Sequence, residues 1–408
     1  MTNEVTNVPE LRFPEFDEEW EEKILDEVST FSKGKGISKN DLSKDGTPCI
    51  LYGELYTTYD FIINKIKSKT LLDTKNLVKG KKNQVLIPSS GETPLDIATA
   101  AVINTTEDML LGGDINVLTP VQKYDGKFIS LSINGKNKSN LSKYAQGKSV
   151  VHLYNNDIKK LKIKFPIKNS EQRKIGDFFS KLDRHIELEE KKLELLEQQK
   201  KGYMQKIFSQ ELRFKDDKGN DYPNWENEKL GDLINEVNER TTSNNQYVLL
   251  SSTKNGLLSQ EEYFKKQIGS KDSTGYKILR LNQLVLSPQN LWLGNINFNQ
   301  RFNIGIVSPS YRIYNLSHQF DINFAKDLLK SPRYIYEYAQ ASEQGASVVR
   351  RNLNLELFYS INISLPSIEE QRKIGAFLNK LDKLIRKQYK KIEVLKQRKK
   401  GLLQNMFV

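Results

Sequence analysis

The sequence predicts an α+β chain: two globular arms separated by two long antiparallel coiled-coil helices, with an internal pseudo-two-fold repeat. Three observations predict this. A 39-residue segment is written twice, its apolar residues recur at helical spacing, and short strand-like runs between turn signals fill the rest. The boundaries are 1–169 for the first arm, 170–210 for the first long helix, 211–368 for the second arm and 369–408 for the second helix. A chain of 408 residues is too long for one ordinary core and suits two domains plus connecting elements.

The repeat comes first because it governs everything else. Glu171–Ser209 aligns without gaps on Glu370–Val408, with 21 of 39 positions identical. Both copies open Glu-Gln-Arg-Lys-Ile-Gly, continue Phe-x-x-Lys-Leu-Asp and end Lys-Lys-Gly-x-x-Gln-x-x-Phe. The correspondence extends into the arms. Asn83-Gln-Val-Leu-Ile87 matches Asn282-Gln-Leu-Val-Leu286, and Gln146-Gly-Lys-Ser-Val-Val151 matches Gln344-Gly-Ala-Ser-Val-Val349. Leu11-Arg-Phe13 leads to Trp20-Glu21 as Leu212-Arg-Phe214 leads to Trp225-Glu226.

The repeated segments read as helices. Ile175, Phe178, Leu182, Ile186, Leu193, Leu196, Tyr203 and Ile207 fall largely on alternating three- and four-residue steps. Ile374, Phe377, Leu381, Ile385, Ile392, Leu395, Leu402 and Met406 do the same, which is a coiled-coil seam. The seam skips at Glu189 and Gln388, and again near Lys200 and Lys399. Pro166 and Pro366 precede the helices, and Gly202 and Gly401 inside them point to a bend or close packing. A helix from Glu171 to Ile207 is roughly 55 Å long at about 1.5 Å per residue. Glu187, Glu190 and Glu197 in the first copy correspond to Arg386, Tyr389 and Lys396 in the second. Opposite charge beside an apolar seam specifies pairing of one helix with the other, antiparallel because a whole arm lies between them.

In the first arm strands are predicted at Pro48–Leu51, Gln84–Ile87, Ile115–Leu118, Val150–Leu153 and Leu161–Phe165. In the second they fall at Tyr247–Leu250, Gln283–Leu286, Ile304–Val307, Tyr311–Tyr314 and Ile361–Leu365. Helical patterns are few, Phe320–Leu329 and Pro332–Ala341. Strands without regularly alternating helices favour α+β over a doubly wound sheet.

Composition excludes several classes. Hydrophobic residues make up 37% and charged residues 28%, and no apolar run approaches a membrane span, so a cytoplasmic protein is expected. Cys49 is the single cysteine, so neither an internal disulfide nor a cysteine metal site is possible. The formal net charge of +12 suits a polyanion, but it is concentrated. Glu370–Val408 holds 12 Lys/Arg against 3 Asp/Glu and Glu171–Ser209 holds 9 against 8, so the arms are nearly balanced. His152, His185 and His318 are scattered. Gly147-Lys148-Ser149 lacks the upstream glycine of a phosphate loop. Ser308-Pro-Ser-Tyr311 departs from an amino-methyltransferase motif at its first residue, and no catalytic constellation is found.

The Pro-x(3,4)-Glu-Gln-Arg-Lys-Ile-Gly pattern before each long helix resembles a signature of the specificity subunits of type I restriction–modification enzymes. So do Leu51-Tyr-Gly-Glu-Leu-Tyr56 and Ile304-Gly-Ile-Val-Ser-Pro-Ser-Tyr311, and the resemblance runs from Leu11 to Phe407. It implies two target-recognition domains held apart by two antiparallel helices, each reading one half of a bipartite, asymmetric double-stranded DNA site. It implies a chain without catalysis of its own. It also implies two copies of a methylation subunit that carries S-adenosylmethionine and modifies adenine, and restriction (motor–nuclease) subunits that use ATP and Mg. The helices, through Arg173, Lys174, Arg372 and Lys373, are the expected docking sites for the methylation subunits.

Phosphate contact calls for Lys, Arg, Ser and Thr, and base reading for side chains with paired donors and acceptors. In the first arm the candidates are Lys33, Lys35, Tyr52, Glu54, Tyr56, Tyr59, Ser89, Ser90, Thr93, Lys136, Lys138 and Lys148, with Tyr52 and Tyr56 read on one face of a strand-like run. In the second they are Ser251, Ser252, Lys254, Gln289, Asn290, Trp292, Tyr311, Arg312, Ser347, Arg350 and Arg351. Two other readings stand beside this one: a coiled-coil adaptor without DNA contact, and a stand-alone DNA methyltransferase or nuclease.

Overall fold

The computed structural model describes residues 7–253, 256–264, 272–344 and 351–408. The chain forms two compact units, Met1–Lys191 with Tyr389–Val408, and Lys192–Gln388. Each long helix, Asn169–Phe208 and Ile368–Asn405, therefore contributes one part to each unit.

In the first unit, strand Glu21–Ile24 pairs antiparallel with Lys162–Phe165, which brings the start and the end of the arm together. A five-stranded sheet follows, in the order Ser29–Lys33, Ile115–Pro120, Val85–Pro88, Ala101–Ile103 and Ile62–Ile63. Side chains on a strand alternate faces. Val85, Ile87, Val102 and Leu118 enter one core with Phe128, while Leu86, Ala101, Ile103, Ile115 and Val117 enter a second core with Ile50 and Leu55. Burial on both faces explains why these strands read as continuous apolar runs. A second five-stranded sheet, built on Thr47–Ile50, completes the arm.

The second unit repeats the framework. Glu226–Lys229 pairs with Asn362–Leu365. A four-stranded sheet runs Ile234–Val237, Arg312–Leu316, Leu284–Leu286 and Ile296–Phe298. Leu284, Leu286 and Tyr314 face the core that holds Phe324, and Val285 and Ile313 face the other side. The arms part company after the strand at 47–50. There the first arm makes a helical turn, Glu54–Thr57, and the second makes a hairpin, Leu250–Thr253 with Gly256–Ser259.

Two sequence expectations for the arms are corrected, and one helix goes unread in the sequence. The run Tyr247–Leu250 becomes a strand only from Leu250 onward, to Thr253. Tyr52 and Tyr56 flank and occupy a helical turn, Glu54–Thr57, rather than a strand, and the Glu54 carboxylate accepts from the Leu51 amide at 2.8 Å. A helix at Gly126–Asn134 has no counterpart in the sequence reading. Eight of its nine residues are buried, and Ile129, Leu131 and Ile133 alternate with Ser130 and Ser132 at the period of a strand, so the local pattern does not announce a helix.

Within each unit the long helices pack antiparallel. In the first, Asp183 meets Lys399 at 2.6 Å, Glu190 meets Lys396 at 2.6 Å and Glu189 meets Lys391 at 2.6 Å. In the second, Asp382 meets Lys200 at 2.7 Å, and Phe377 meets Tyr203 edge-on with centroids 5.1 Å apart. Of the three glutamates singled out, Glu190 pairs across the helices, whereas Glu187 bonds Arg184 on its own helix. Near the C-terminus the seam lies over Leu403, Met406 and Phe407, and Leu402 is only partly buried. A Cβ at Gly202 or Gly401 would meet nothing within 4 Å, so close packing is not why glycine stands there.

The repeated Glu-Gln-Arg-Lys-Ile-Gly motif is where arm meets helix. Glu171 is buried and accepts from Arg12 Nε and Nη2 at 2.7 and 2.8 Å and from Trp20 Nε1 at 3.3 Å. Glu370 accepts from Arg213 at 2.8 and 2.7 Å and from Trp225 Nε1 at 3.1 Å. The next residue holds a second piece of the arm. Gln172 Oε1 accepts from the Asp125 amide at 3.1 Å, and Gln371 Oε1 from the Asp321 amide at 2.9 Å. Asp125 and Asp321 are the side-chain caps of helices Gly126–Asn134 and Ile322–Leu328. Ile175 and Ile374 are buried in the cores. Gly176 and Gly375 let the arm helix come close: a Cβ would stand 2.9 Å from Lys127 Cβ and 2.8 Å from Asn323 Cβ.

Removing one partner of a buried charge pair strands the other, at about 3–5 kcal/mol. Arg12→Ala should therefore destabilise the first unit by about that amount and Arg213→Ala the second. Urea unfolding followed by tryptophan fluorescence reads this out, because Trp20 and Trp225 sit on the two carboxylates.

Candidate nucleic-acid interface

In the first arm the segment after the central strand Val85–Pro88 gathers several candidates. Ser90–Gly91 pairs with Val151–His152, and Ser90 Oγ lies 3.1 Å from His152 Nδ1. The His152 ring stacks on Tyr154, with centroids 6.1 Å apart, and Lys33 Nζ stands 5.7 Å from the Tyr154 centroid. Ser90 and Lys33 are thus joined through His152 and Tyr154, two residues that sequence reasoning did not single out for this surface. Their nearness to Ser90 depends on a strand pairing about 60 residues apart in sequence, which no local motif signals. Thr93 is exposed and caps the turn Pro94–Ile97 by accepting from the Asp96 amide. Lys138 Nζ donates to Thr99 Oγ1 at 3.2 Å, and burial pushes its ammonium down.

Other first-arm candidates stand apart from this group. The Glu54 carboxylate is taken up by the Leu51 amide and by Ser68 Oγ. Tyr59 accepts from the Lys67 amide, and burial pushes its phenol up to about 12. Tyr56 is raised too, again by burial. Ser89 is buried and bonds the Asp114 carbonyl through its amide. Lys35, Lys136 and Lys148 are exposed, and Tyr52 is half-buried.

In the second arm Gln289, Asn290 and Trp292 share the turn Pro288–Leu293. The Arg351 guanidinium lies over the Trp292 ring, 4.3 Å from its centroid, and its Nη1 reaches the Ala339 carbonyl at 3.4 Å. A planar cation held on an indole face is desolvated and oriented before any ligand arrives. Ser252 lies inside a polar network: its Oγ donates to Asn295 Oδ1 at 2.6 Å and accepts from Asn297 Nδ2 at 2.7 Å. Tyr311 donates to the Ser252 carbonyl at 3.4 Å. Arg312 pairs with Glu236 at 2.6 Å across neighbouring strands. Ser251 is half-buried on the hairpin, and Lys254, Ser347 and Arg350 lie outside the described residues.

The helix positions divide in two. Arg173 and Arg372 are exposed at equivalent places. Lys174 pairs with Glu15 and lies over the Phe13 ring, while Lys373 pairs with Asp217 at 2.6 Å. Among the described residues no group of three or more His, Cys, Asp or Glu side chains could hold a metal ion. Among the same residues no helix is long and apolar enough to cross a membrane.

Residues 17–198 and 222–397 each match the model of the type I restriction modification DNA specificity domain. The chain belongs to this family. Its two copies of the specificity domain are the two halves of the internal repeat, and each ends in a long helix. The fold is similar to the crystal structure of the type I restriction–modification system S subunit from M. genitalium, at 16% identity and TM-score 0.60, covering 98% of this chain and 99% of that one. It is also similar to a chain solved in work on complex assembly and conformational transition of the type I restriction–modification system, at 15% identity and TM-score 0.56. There the match covers 94% of this chain and 96% of the other.

Within this specificity fold one half-buried lysine stands out. Lys330 donates to Asn297 Oδ1, and burial pushes its ammonium down to about 8. The unfolded chain binds this proton more tightly than the folded one, so stability of the second unit should rise as pH climbs from about 8 toward the ordinary lysine range. Thermal melts over that window check it. Lys330→Met should flatten the rise, because no proton is then released on folding.

Proposed function

We propose that this chain is the DNA sequence-specificity subunit of a type I restriction–modification enzyme. Each specificity domain reads one half of a bipartite, asymmetric double-stranded DNA site. The observation that carries the reading is a shared framework with different surfaces. Both arms dock on their helices through the same carboxylate, arginine and tryptophan. Yet one presents Lys33, His152 and Tyr154 where the other presents Gln289, Trp292 and Arg351. A common scaffold with two unlike faces is what an asymmetric site requires, since base edges are read by particular donors and acceptors.

In this reading the chain performs no catalysis. Two methylation subunits supply S-adenosylmethionine and modify adenine, and restriction subunits supply motor and nuclease chemistry with ATP and Mg. Two copies of one partner need two equivalent sites, and the repeat provides them. A groove in the first unit is lined by Ile186, Lys400, Leu403 and Gln404. Ile385, Lys201, Met204 and Gln205 line its counterpart in the second. Arg173 and Arg372, exposed nearer the helix starts, extend the docking surface. Charge reversal of both should cut co-purification with the methylation subunit at least tenfold, and full retention would remove them from that surface.

Methylome mapping tests the function directly. The chain is expressed with its methylation subunit in a methylation-free host, and modified adenines are located by single-molecule sequencing. A split, asymmetric motif with a fixed unread gap is the expected result. A contiguous motif would mean that one arm alone reads DNA. No modification, with the partner shown to be bound, would instead favour an adaptor without DNA contact.

A further inference from the structure

The later skip in the coiled-coil seam of each long helix is filled by a lysine. Lys399 and Lys200 occupy the same position in the two copies of the repeat, yet their side chains are only 8% and 17% exposed. Each ties three pieces of its unit together. Lys399 bonds Asp183 of the opposing helix at 2.6 Å, pairs with Asp60 of the arm and lies 4.5 Å from the Phe61 ring centroid. Lys200 bonds Asp382 of the opposing helix at 2.7 Å and Asp327 of the arm at 2.8 Å, where Lys326 bonds the same two carboxylates. The two aspartates on the helices are equivalent, but the two on the arms are not. Asp60 precedes a strand, and Asp327 lies in helix Ile322–Leu328.

Replacing a buried ion pair by apolar residues is often neutral or stabilising, so such a pair is poor evidence of stabilisation. What it does enforce is register, because a displaced partner leaves a charge buried alone. Two apolar side chains could slide past each other by an ångström at small cost, whereas a lysine shared between two carboxylates cannot. The same lock was thus built twice with different arm partners, and in each case it joins the arm to both helices.

We propose that Lys399 and Lys200 are positioning residues for DNA reading: each fixes the angle at which its own arm stands on the helix pair. The inference rests on the specificity-subunit reading above. With the lock intact an arm meets DNA in one register. Without it the arm samples neighbouring registers, and its half-site becomes less strictly defined.

The test compares methylomes of Lys399→Met/Asp183→Leu and Lys200→Met/Asp382→Leu, each expressed with the methylation subunit, alongside thermal melts of the purified complexes. The expected result is a several-fold rise in methylated sites with an altered gap or a degenerate base, confined to the half read by the unlocked arm, with little change in melting temperature. Lys399→Arg and Lys200→Arg should restore strictness. Where an apolar pair fails to fold, Lys399→Gln or Lys200→Gln gives the same comparison. An unchanged motif and gap in a folded variant overturns the proposal, whatever happens to the melting temperature. Absence of any split motif from the wild-type chain would instead sink the specificity-subunit reading, a result separable from the behaviour of the locks.

Discussion

The architecture depends on a carboxylate buried at the start of each long helix. A lone ionised carboxylate in a protein interior is prohibitively costly, so Glu171 and Glu370 each dictate what must surround them. Each takes both nitrogens of one arginine fork and the indole N–H of a tryptophan. Those donors belong to the first residues of the arm, and the glutamate follows its last strand. Closing this contact pins both ends of the arm to one turn of helix. The adjacent glutamine then orients the arm's own helix through its capping aspartate, and the glycine about one turn further on makes room for it.

From that anchor the division of labour along the chain follows. Strands buried on both faces make the arm rigid, and their alternation sends successive residues into separate cores. Rigid frameworks let surface segments vary without loss of fold. The arms indeed differ outside the shared sheet, in the turn Glu54–Thr57 against the strand pair Leu250–Thr253 and Gly256–Ser259, and in the segments after the central strands. The polar groups gathered there are held by stacking and hydrogen bonds rather than left to solvent. Preorganisation of that kind reduces the ordering cost of binding.

The long helices combine an apolar seam with charges of two kinds. Glu190–Lys396 is exposed and contributes little energy, but a like charge in either place would oppose pairing. Lys399 is buried and Lys200 mostly so, and their locks act on geometry. The electrostatics of the two locks differ. Burial outweighs the single lysine at Asp183 and holds that carboxyl above its ordinary range, whereas two lysines carry Asp382 below it despite burial.

The sequence by itself determined the repeat, both long helices, their antiparallel pairing, the family and most strands. Each of these is written locally, in heptad-like spacing, apolar runs or an aligned motif, and the gapless second copy confirms it without reference to space. It even marked the seam's irregularities at Glu189, Gln388, Lys200 and Lys399, though not what they are for. Only tertiary structure decided the rest. In the helix Gly126–Asn134 apolar residues alternate with serines at the period of a strand, so the helix is set by the packing around it. The approach of His152 to Ser90, the stack of Arg351 on Trp292 and the reach of Lys399 to Asp60 join residues far apart in the chain. Contacts of that range are set by strand register and by which helix face meets which arm, and neither is encoded in any short stretch of sequence.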